Sequence, residues 1–422
     1  MNESILNDRE ERYLYIQELS KTYHNLIVLK ANTPGPDKNR YSSLFLIKQL
    51  NQVVERRFSI SFKILKNSFD GPYYVYAISN DISKDVKLKL INIENSHPLG
   101  RYIDLDLYVN SKMISREDFN IGLRNCMLCN HSAIDCMRND RHTKEEILSH
   151  IDYHISAFLT SNIKKFIEQS MLSELKLEQK FGLVTPTSSG SHDDMNYTMM
   201  LESINVLLPY FIEIFELGFL SDYDKDPFQE ANRIGLKAEE AMFKQTHKVN
   251  TYKGLIYILG FVLLALGQNI KKNKPITDLF IRIKELSSNV LDDFTKKTSS
   301  SGIDAYKKYH ITGIRGEVFH GLPTIVNALD YFDKIDISDR KNFHAALLYF
   351  IIHCEDTVLL KRSKSLDNYN HIKYLASKIN PYDSKNISDF NNYCISHHIS
   401  FGGSADLFII LQFINYIRTF IQ

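Results

Sequence analysis

A change of apolar period near Ile151 constrains this chain more than any other feature. From about Leu26 to Val109, short runs such as NLIVLKAN, PYYVYAIS, VKLKLINI and RYIDLDLYV are rich in β-branched and aromatic residues. They are separated by the turn sequences PGPDKN and FDGP and by the helical stretch SSLFLIKQLNQVVERR, an α+β pattern. Beyond Ile151 such runs vanish, and apolar residues recur at helical spacing in NVLLPYFIEIFELGF, FHAALLYFIIHCEDTVLL and ADLFIILQFINYIRTFI. One small core does not serve 422 residues, so two domains are expected, an α+β domain over 1–155 and an all-α multi-helix domain over 156–422. The charged RHTKEEILSHIDYHISAFL reads as a helix leaving one and entering the other. There is no internal repeat, and KKTSSSG reads as one loop of the helical domain.

Charge is balanced, 51 Lys and Arg against 50 Asp and Glu, which leaves no broad electrostatic footprint for nucleic acid or an anionic membrane. Any polyanionic ligand must be held locally. The apolar run from Leu255 to Gly267 falls short of the roughly 20 residues that cross a bilayer and reads as a core helix. The segment MNESILNDREERYLYIQ is charged and carries no apolar signal. Five cysteines, an odd number, argue for a reducing compartment over a disulfide framework. A soluble cytoplasmic protein without nucleic-acid or membrane partners is expected.

In the first domain, HPLGRYIDLDLYV places Asp104 and Asp106 on one face of a strand, with Leu105 and Leu107 packed behind. Carboxylates at i and i+2 can hold Mg²⁺, and Arg101 just upstream can meet a phosphate, an arrangement suited to nucleotidyl transfer. The competing reading is a surface edge strand with solvated carboxylates. NTPGPDK is a turn that brings Lys38 towards a phosphate, or simply a turn. Cys126, Cys129, Cys136 and His142 in CMLCNHSAIDCMRNDRH can close a tetrahedral Zn²⁺ site, although a second C-x-x-C pair is missing. Reduced, partly buried thiols are the alternative, and redox catalysis by Cys126 and Cys129 a weaker third.

The helical domain carries four glycine-containing polar clusters beside apolar helices, KFGLVTPTSSGSHDDM, GLKAEEAMFKQTHKVNTYKG, TGIRGEVFHG and SFGGSADLF. Glycine lets backbone amides approach a ligand, and helix N-termini favour anions. Asn250 or Thr251 can cap the apolar helix that follows, with Lys253 facing the same ligand. The other substrate- or phosphate-binding candidates are Lys180, His192, Arg315, Glu317, Gly402, Gly403 and Ser404. Glu239 and Glu240 lie about 100° apart on a helix, so one of them faces a cavity. Asp193 and Asp194 follow His192, where a metal–triphosphate complex could be held. No G-x-x-x-x-G-K-[ST] loop occurs.

These motifs carry two resemblances. From about Ser156 onward the chain resembles the triphosphoribosyl-dephospho-CoA synthase family, through GLV with GSHDDM, AEEAMF with VNTYKG, TGIRGE, CEDTVLLKRS and HHISFGGSADLFI, in that order. Over about residues 4–150 it resembles the holo-citrate lyase synthases, the phosphoribosyl-dephospho-CoA transferases, through NTPGPDK, PLGRYIDLDLYV, ISRED and RNCMLC with AIDCMRNDRH. Known fused forms have this domain order. The resemblance implies an all-α domain that joins ATP to 3′-dephospho-CoA with loss of adenine. It implies a nucleotidyltransferase-like domain that transfers the product to a serine of the citrate lyase acyl carrier (gamma) subunit, with Mg²⁺ on Asp104 and Asp106. By position it makes Glu239 the catalytic carboxylate, Lys253 and Arg315 phosphate ligands, and Asp194 with Asp356 Mg²⁺ ligands or orienting groups. Four positions depart from the family pattern: Phe181 stands where a proline is common, His247 and Lys248 where two glycines are, and Tyr252 where a histidine is. Two other readings differ in kind: a cofactor synthase alone, also serving malonate decarboxylase, with a decayed transferase domain, and a non-catalytic helical binder of CoA-like nucleotides.

Overall fold

A computed structural model describes residues 3–79, 83–223, 226–291 and 301–421. The KKTSSSG stretch lies largely outside the described residues. The chain divides into two compact units, Met1–Ser161 with Phe420–Gln422, and Asn162–Thr419.

The first unit runs α1 (Glu3–Leu19), β1 (Asn25–Ala31), α2 (Tyr41–Arg57), β2 (Ile60–Lys66), β3 (Tyr73–Ile78), α3 (Ser83–Ser96), β4 (Ile103–Val109), β5 (Lys112–Ile114), α4 (Ala133–Arg138) and the start of α5 (Lys144–Leu175). Its five strands form one antiparallel sheet in the order β2-β3-β1-β4-β5. Strand β1 is central, and Leu26 to Leu29 are all buried because both sheet faces are covered. Ile16 of α1 packs on the face shown by Leu26, Val28, Val75 and Ala77, while α2 and α3 pack against β1 and β4.

The run VKLKLINI, expected as a strand, is part of helix α3. Its alternation imitates a period of two, but Val86, Leu90, Ile91 and Ile93 are the buried positions, a helical stripe. Strand β2, with alternating exposure at the sheet edge, was not among the expected strands.

The second unit continues α5 and adds α6 (Tyr197–Leu220), α7 (Phe228–Gln245), α8 (Lys253–Lys271), α9 (Asp278–Leu286), α10 (Ser301–Tyr309), α11 (Ile314–Phe319), α12 (Pro323–Tyr331), α13 (Phe343–His353), α14 (Thr357–Ser363), α15 (Leu366–Ala376), α16 (Ser384–Ser396) and α17 (Gly402–Ile421). Helix α8 is its hub, with α6, α7, α9 and α11 packed around it. Thirteen consecutive apolar residues fit there because the helix is buried on nearly every side, each full-sized side chain contributing about 1.5–3 kcal/mol. Helix α6 approaches so closely that a Cβ at Gly267 would stand 2.5 Å from the Phe215 carbonyl oxygen. The helix is 19 residues long, longer than its apolar run suggested. By length and composition α6, α8 and α17 could each cross a membrane, and much of each is buried inside this unit.

Candidate functional site

In the first unit the site grows from β4. Asp104 and Asp106 share one face, and Ile103, Leu105 and Leu107 are buried on the other. Strand β4 is interior to the sheet, which sets aside the edge-strand reading. Register places Lys30 of β1 opposite Asp104, its Nζ 3.9 Å from the carboxylate. Arg124 pairs with Asp104, donates to the Ile103 carbonyl at 2.8 Å and bridges to Glu94 at 3.1 Å. Glu94 also accepts the Leu105 amide at 3.0 Å, tying the arginine to the strand.

The Asp106 carboxylate has no hydrogen bond among the described residues. Burial pushes its pKa up, Asp104 and Glu94 add to this, and Lys30 and Lys87 oppose it. Lys38 donates to the Thr33 carbonyl, and burial pulls its pKa down while Asp104 acts the other way. Arg101 keeps a buried Nη1 with no hydrogen-bond partner among the described residues. Two carboxylates facing one way repel each other, and a divalent cation removes that repulsion. The surrounding Lys30, Lys38, Lys87, Arg101 and Arg124 suit a polyphosphate. The donor set therefore fits Mg²⁺.

The ligand atoms of Cys126, Cys129, Cys136 and His142 all lie within 4.8 Å of one another. Cys129 Sγ is 3.3 Å from both Cys136 Sγ and His142 Nε2. Thiolates bound tetrahedrally at about 2.3 Å would stand about 3.8 Å apart, so little movement would seat Zn²⁺. A bridge between Asn125 and Ser132 turns the chain, and Ser132 caps α4, which carries Cys136 inward. Burial and the neighbouring thiols push Cys136 up to about 12. Burial acts the same way on Cys126, yet the Leu128 and Cys129 amides hold it below the usual thiol range. Arg124 lies two residues before Cys126, so the turn that gathers the sulfurs also aims Arg124 at Asp104.

In the second unit the four polar clusters meet. Lys253 Nζ pairs with Glu239 at 2.7 Å, and Glu239 lines an apolar recess of about 60 Å³ with Phe228, Tyr257 and Phe261. Glu240 points to solvent. The Arg315 guanidinium lies 5.5 Å from the centre of the Tyr257 ring. Asn250 Oδ1 accepts the Lys253 amide at 3.1 Å and closes the turn ahead of α8, whereas Thr251 donates to Ser203 instead. Glu355 accepts the Thr312 and Gly313 amides, joining TGIRGE to CEDT. His192 meets Ser400 at 2.9 Å, joining GSHDD to SFGG.

Several expected ligands have other work. Asp356 Oδ1 accepts the Val358 and Leu359 amides, and Oδ2 accepts the Ser404 amide and hydroxyl, all within 3.0 Å. Its oxygens cap α14 and α17 together. Its carboxylate sits at the α17 N-terminus beside Gly403 and accepts the Ser404 amide, where Gly402, Gly403 and Ser404 were expected to meet a phosphate. Lys180, 1% exposed, is locked on Glu174 at 2.5 Å; burial pulls its pKa down against that partner. Glu317 is buried against Thr324, and burial raises its pKa. His192 is pushed down to about 4 by burial and by Arg362, which donates to its Nδ1, so it stands as a neutral link between Arg362 and Ser400. Asp194 is 65% exposed, with a carboxylate oxygen 3.9 Å from His192 Nδ1.

Of the departures from the family pattern, those at Phe181, His247 and Lys248 fall where the backbone is left-handed. Phe181 has φ +59°, which proline cannot adopt, so this loop has its own shape. His247 and Lys248 have φ +50° and +73°, a region where glycine is at ease. Sequence reasoning overlooked Arg124, Arg362 and Asp406, and noted Tyr252 only as a departure from the family pattern. Arg124 and Asp406 stand inside quoted motifs, and a carboxylate within the apolar ADLFIILQF was a usable signal.

Comparison with known proteins matches these two regions separately. Residues 2–158 match the model of the apo-citrate lyase phosphoribosyl-dephospho-CoA transferases, and residues 160–420 that of the ATP:dephospho-CoA triphosphoribosyl transferases. Protein CitXG of Leuconostoc mesenteroides subsp. cremoris is 29% identical over 97% of this chain and 96% of its own. Protein CitXG of Haemophilus influenzae is 26% identical over 97% and 95%. The 2-(5''-triphosphoribosyl)-3'-dephosphocoenzyme-A synthase of Haemophilus ducreyi is 28% identical over 68% of this chain and 98% of its own. The chain belongs to the ATP:dephospho-CoA triphosphoribosyl transferase family, and it carries an apo-citrate lyase phosphoribosyl-dephospho-CoA transferase module ahead of that domain.

Proposed function

We propose that this chain both makes and attaches the prosthetic group of citrate lyase, in the cytoplasm. The observation that carries this reading is the tandem of two family matches, repeated in relatives aligned almost end to end. The domain spanning 156–422 joins ATP and 3′-dephospho-CoA. The 2′-hydroxyl of dephospho-CoA attacks C1′ of the ATP ribose, adenine leaves, and 2′-(5″-triphosphoribosyl)-3′-dephospho-CoA forms. The apolar recess beside Glu239 suits a base or ribose, Lys253 and Arg315 suit the triphosphate, and Glu239 meets the positive charge that develops on the sugar.

The domain spanning 1–155 acts as a nucleotidyltransferase. The carrier serine oxygen bonds to the α-phosphorus, the bond to pyrophosphate breaks, and the serine proton is lost. Asp104 and Asp106 would hold Mg²⁺, which supplies charge neutralisation on the phosphates. Lys38, Arg101 and Arg124 orient the triphosphate, and Arg124 also fixes Asp104. Cys126, Cys129, Cys136 and His142 hold a structural Zn²⁺; elemental analysis should give about one equivalent, and less than about a tenth would contradict this. The whole reading is tested by incubating the chain with ATP, 3′-dephospho-CoA, Mg²⁺ and the apo-acyl carrier subunit. The intact mass of the carrier should rise by one phosphoribosyl-dephospho-CoA, and an unchanged mass would contradict the reading.

A further inference from the structure

We infer that Asp406 is the proton-transferring group of the adenine-releasing step, acting beside the first turn of α8 with the Tyr252 hydroxyl as a hydrogen-bond donor to substrate. The inference rests on the synthase reading above and adds a residue that reading does not use. Asp406 Oδ2 lies so near Gly254 that a Cβ there would stand 2.1 Å from it. This close approach is why glycine follows Lys253 at the mouth of an apolar helix. The neighbouring residues Lys253 and Gly254 thus bring Glu239 and Asp406 to one helix end.

Asp406 makes no hydrogen bond or ion pair among the described residues, although it keeps some accessible surface. Tyr252 is 3% exposed, and its hydroxyl has no hydrogen-bond partner among the described residues. The two groups lie within electrostatic reach of each other. A folded protein rarely leaves buried polar groups unpartnered, and two such groups beside one helix end suit a ligand as the missing partner. Ser404, two residues earlier on α17, is held by Asp356, which anchors the helix end that carries Asp406.

Burial, with the Asp356 and Glu174 carboxylates adding to it, favours the protonated acid. The step then balances with no further reactant. As the C1′–N9 bond breaks and its electron pair leaves with adenine, the Asp406 proton passes to an adenine ring nitrogen. As the 2′-oxygen of dephospho-CoA bonds to C1′, its proton passes to the Asp406 carboxylate, which ends as it began.

The test measures adenine release by the full chain with ATP, 3′-dephospho-CoA and Mg²⁺. Asp406→Asn should lower kcat by at least about 100-fold while the KM for ATP stays within about threefold. Its thermal midpoint should not fall. Asp406→Ala should regain at least about tenfold in rate with added formate, which the parent chain should not. The inference is overturned if Asp406→Asn keeps kcat within about fivefold, if the loss lies in KM alone, or if formate leaves the folded Ala variant unchanged. Failure of both variants to fold would also overturn it, because a carboxyl without partners is not needed for folding. A parent chain that releases no adenine sinks the synthase reading itself; an active parent with an active Asn variant sinks only this inference.

Discussion

Asp104 and Asp106 of β4 and Asp356 ahead of α14 all stand in short polar motifs beside apolar elements, yet their surroundings differ. Asp356 accepts four hydrogen bonds from two helix ends. Asp106 accepts none among the described residues, and Asp104 shares its face with cations. The type of residue and its motif were equally persuasive in each case. What separates a ligand from a cap is the number of protein donors already satisfied, and that number depends on contacts distant in sequence.

The comparison can be broken from either side. The largest effect is expected at the open site. Asp104→Asn should slow carrier modification about 10²–10³-fold when the triphosphoribosyl precursor is supplied, and leave adenine release unchanged; a parallel loss of both would argue against two separate sites. At the closed side, Lys180→Met strands the Glu174 carboxylate in the interior, costing about 3–5 kcal/mol in denaturant unfolding. The double variant with Glu174→Leu should recover most of it, and a single-variant loss under about 1 kcal/mol would show that the pair is not buried as described.

Asp356→Ala uncaps two helices and should cost about 2–4 kcal/mol, against at most about 0.5 kcal/mol for the exposed Asp194→Ala. Equal losses would erase the distinction between cap and surface carboxylate. A smaller, pH-dependent effect belongs to His192. Its folded pKa of about 4 lies below the ordinary 6.5, so the unfolded chain takes up the proton first. Stability from this group is intact above about pH 6.5 and falls by up to about 3 kcal/mol as the pH drops towards 4. His192→Gln should flatten that slope in unfolding measured from pH 7 to pH 4, and an unchanged slope would contradict a neutral, buried imidazole.

Much of the fold could be read from the chain because period and turn chemistry are local. The strands NLIVLKAN, PYYVYAIS and RYIDLDLYV stand where alternation and turns put them. VKLKLINI deceived because lysines alternate with apolar residues on a helix that happens to bury Lys87 as well. At the site, convergence of the four glycine clusters was visible as a repeated composition. The individual roles were not, since Lys180 with Glu174 and Asp356 with Ser404 are pairings that only packing decides. Arg124 was hidden by the cysteines that follow it, and Asp406 by the glycines that precede it.

On the proposed reading the helical domain breaks a glycosidic bond of ATP and keeps the triphosphate. Chromatography of a reaction holding the purified chain, ATP, 3′-dephospho-CoA and Mg²⁺, with adenine and ADP followed in one run, tests it most directly. Adenine should accumulate in step with loss of dephospho-CoA, with no ADP. ADP without adenine, or neither product, would contradict the account.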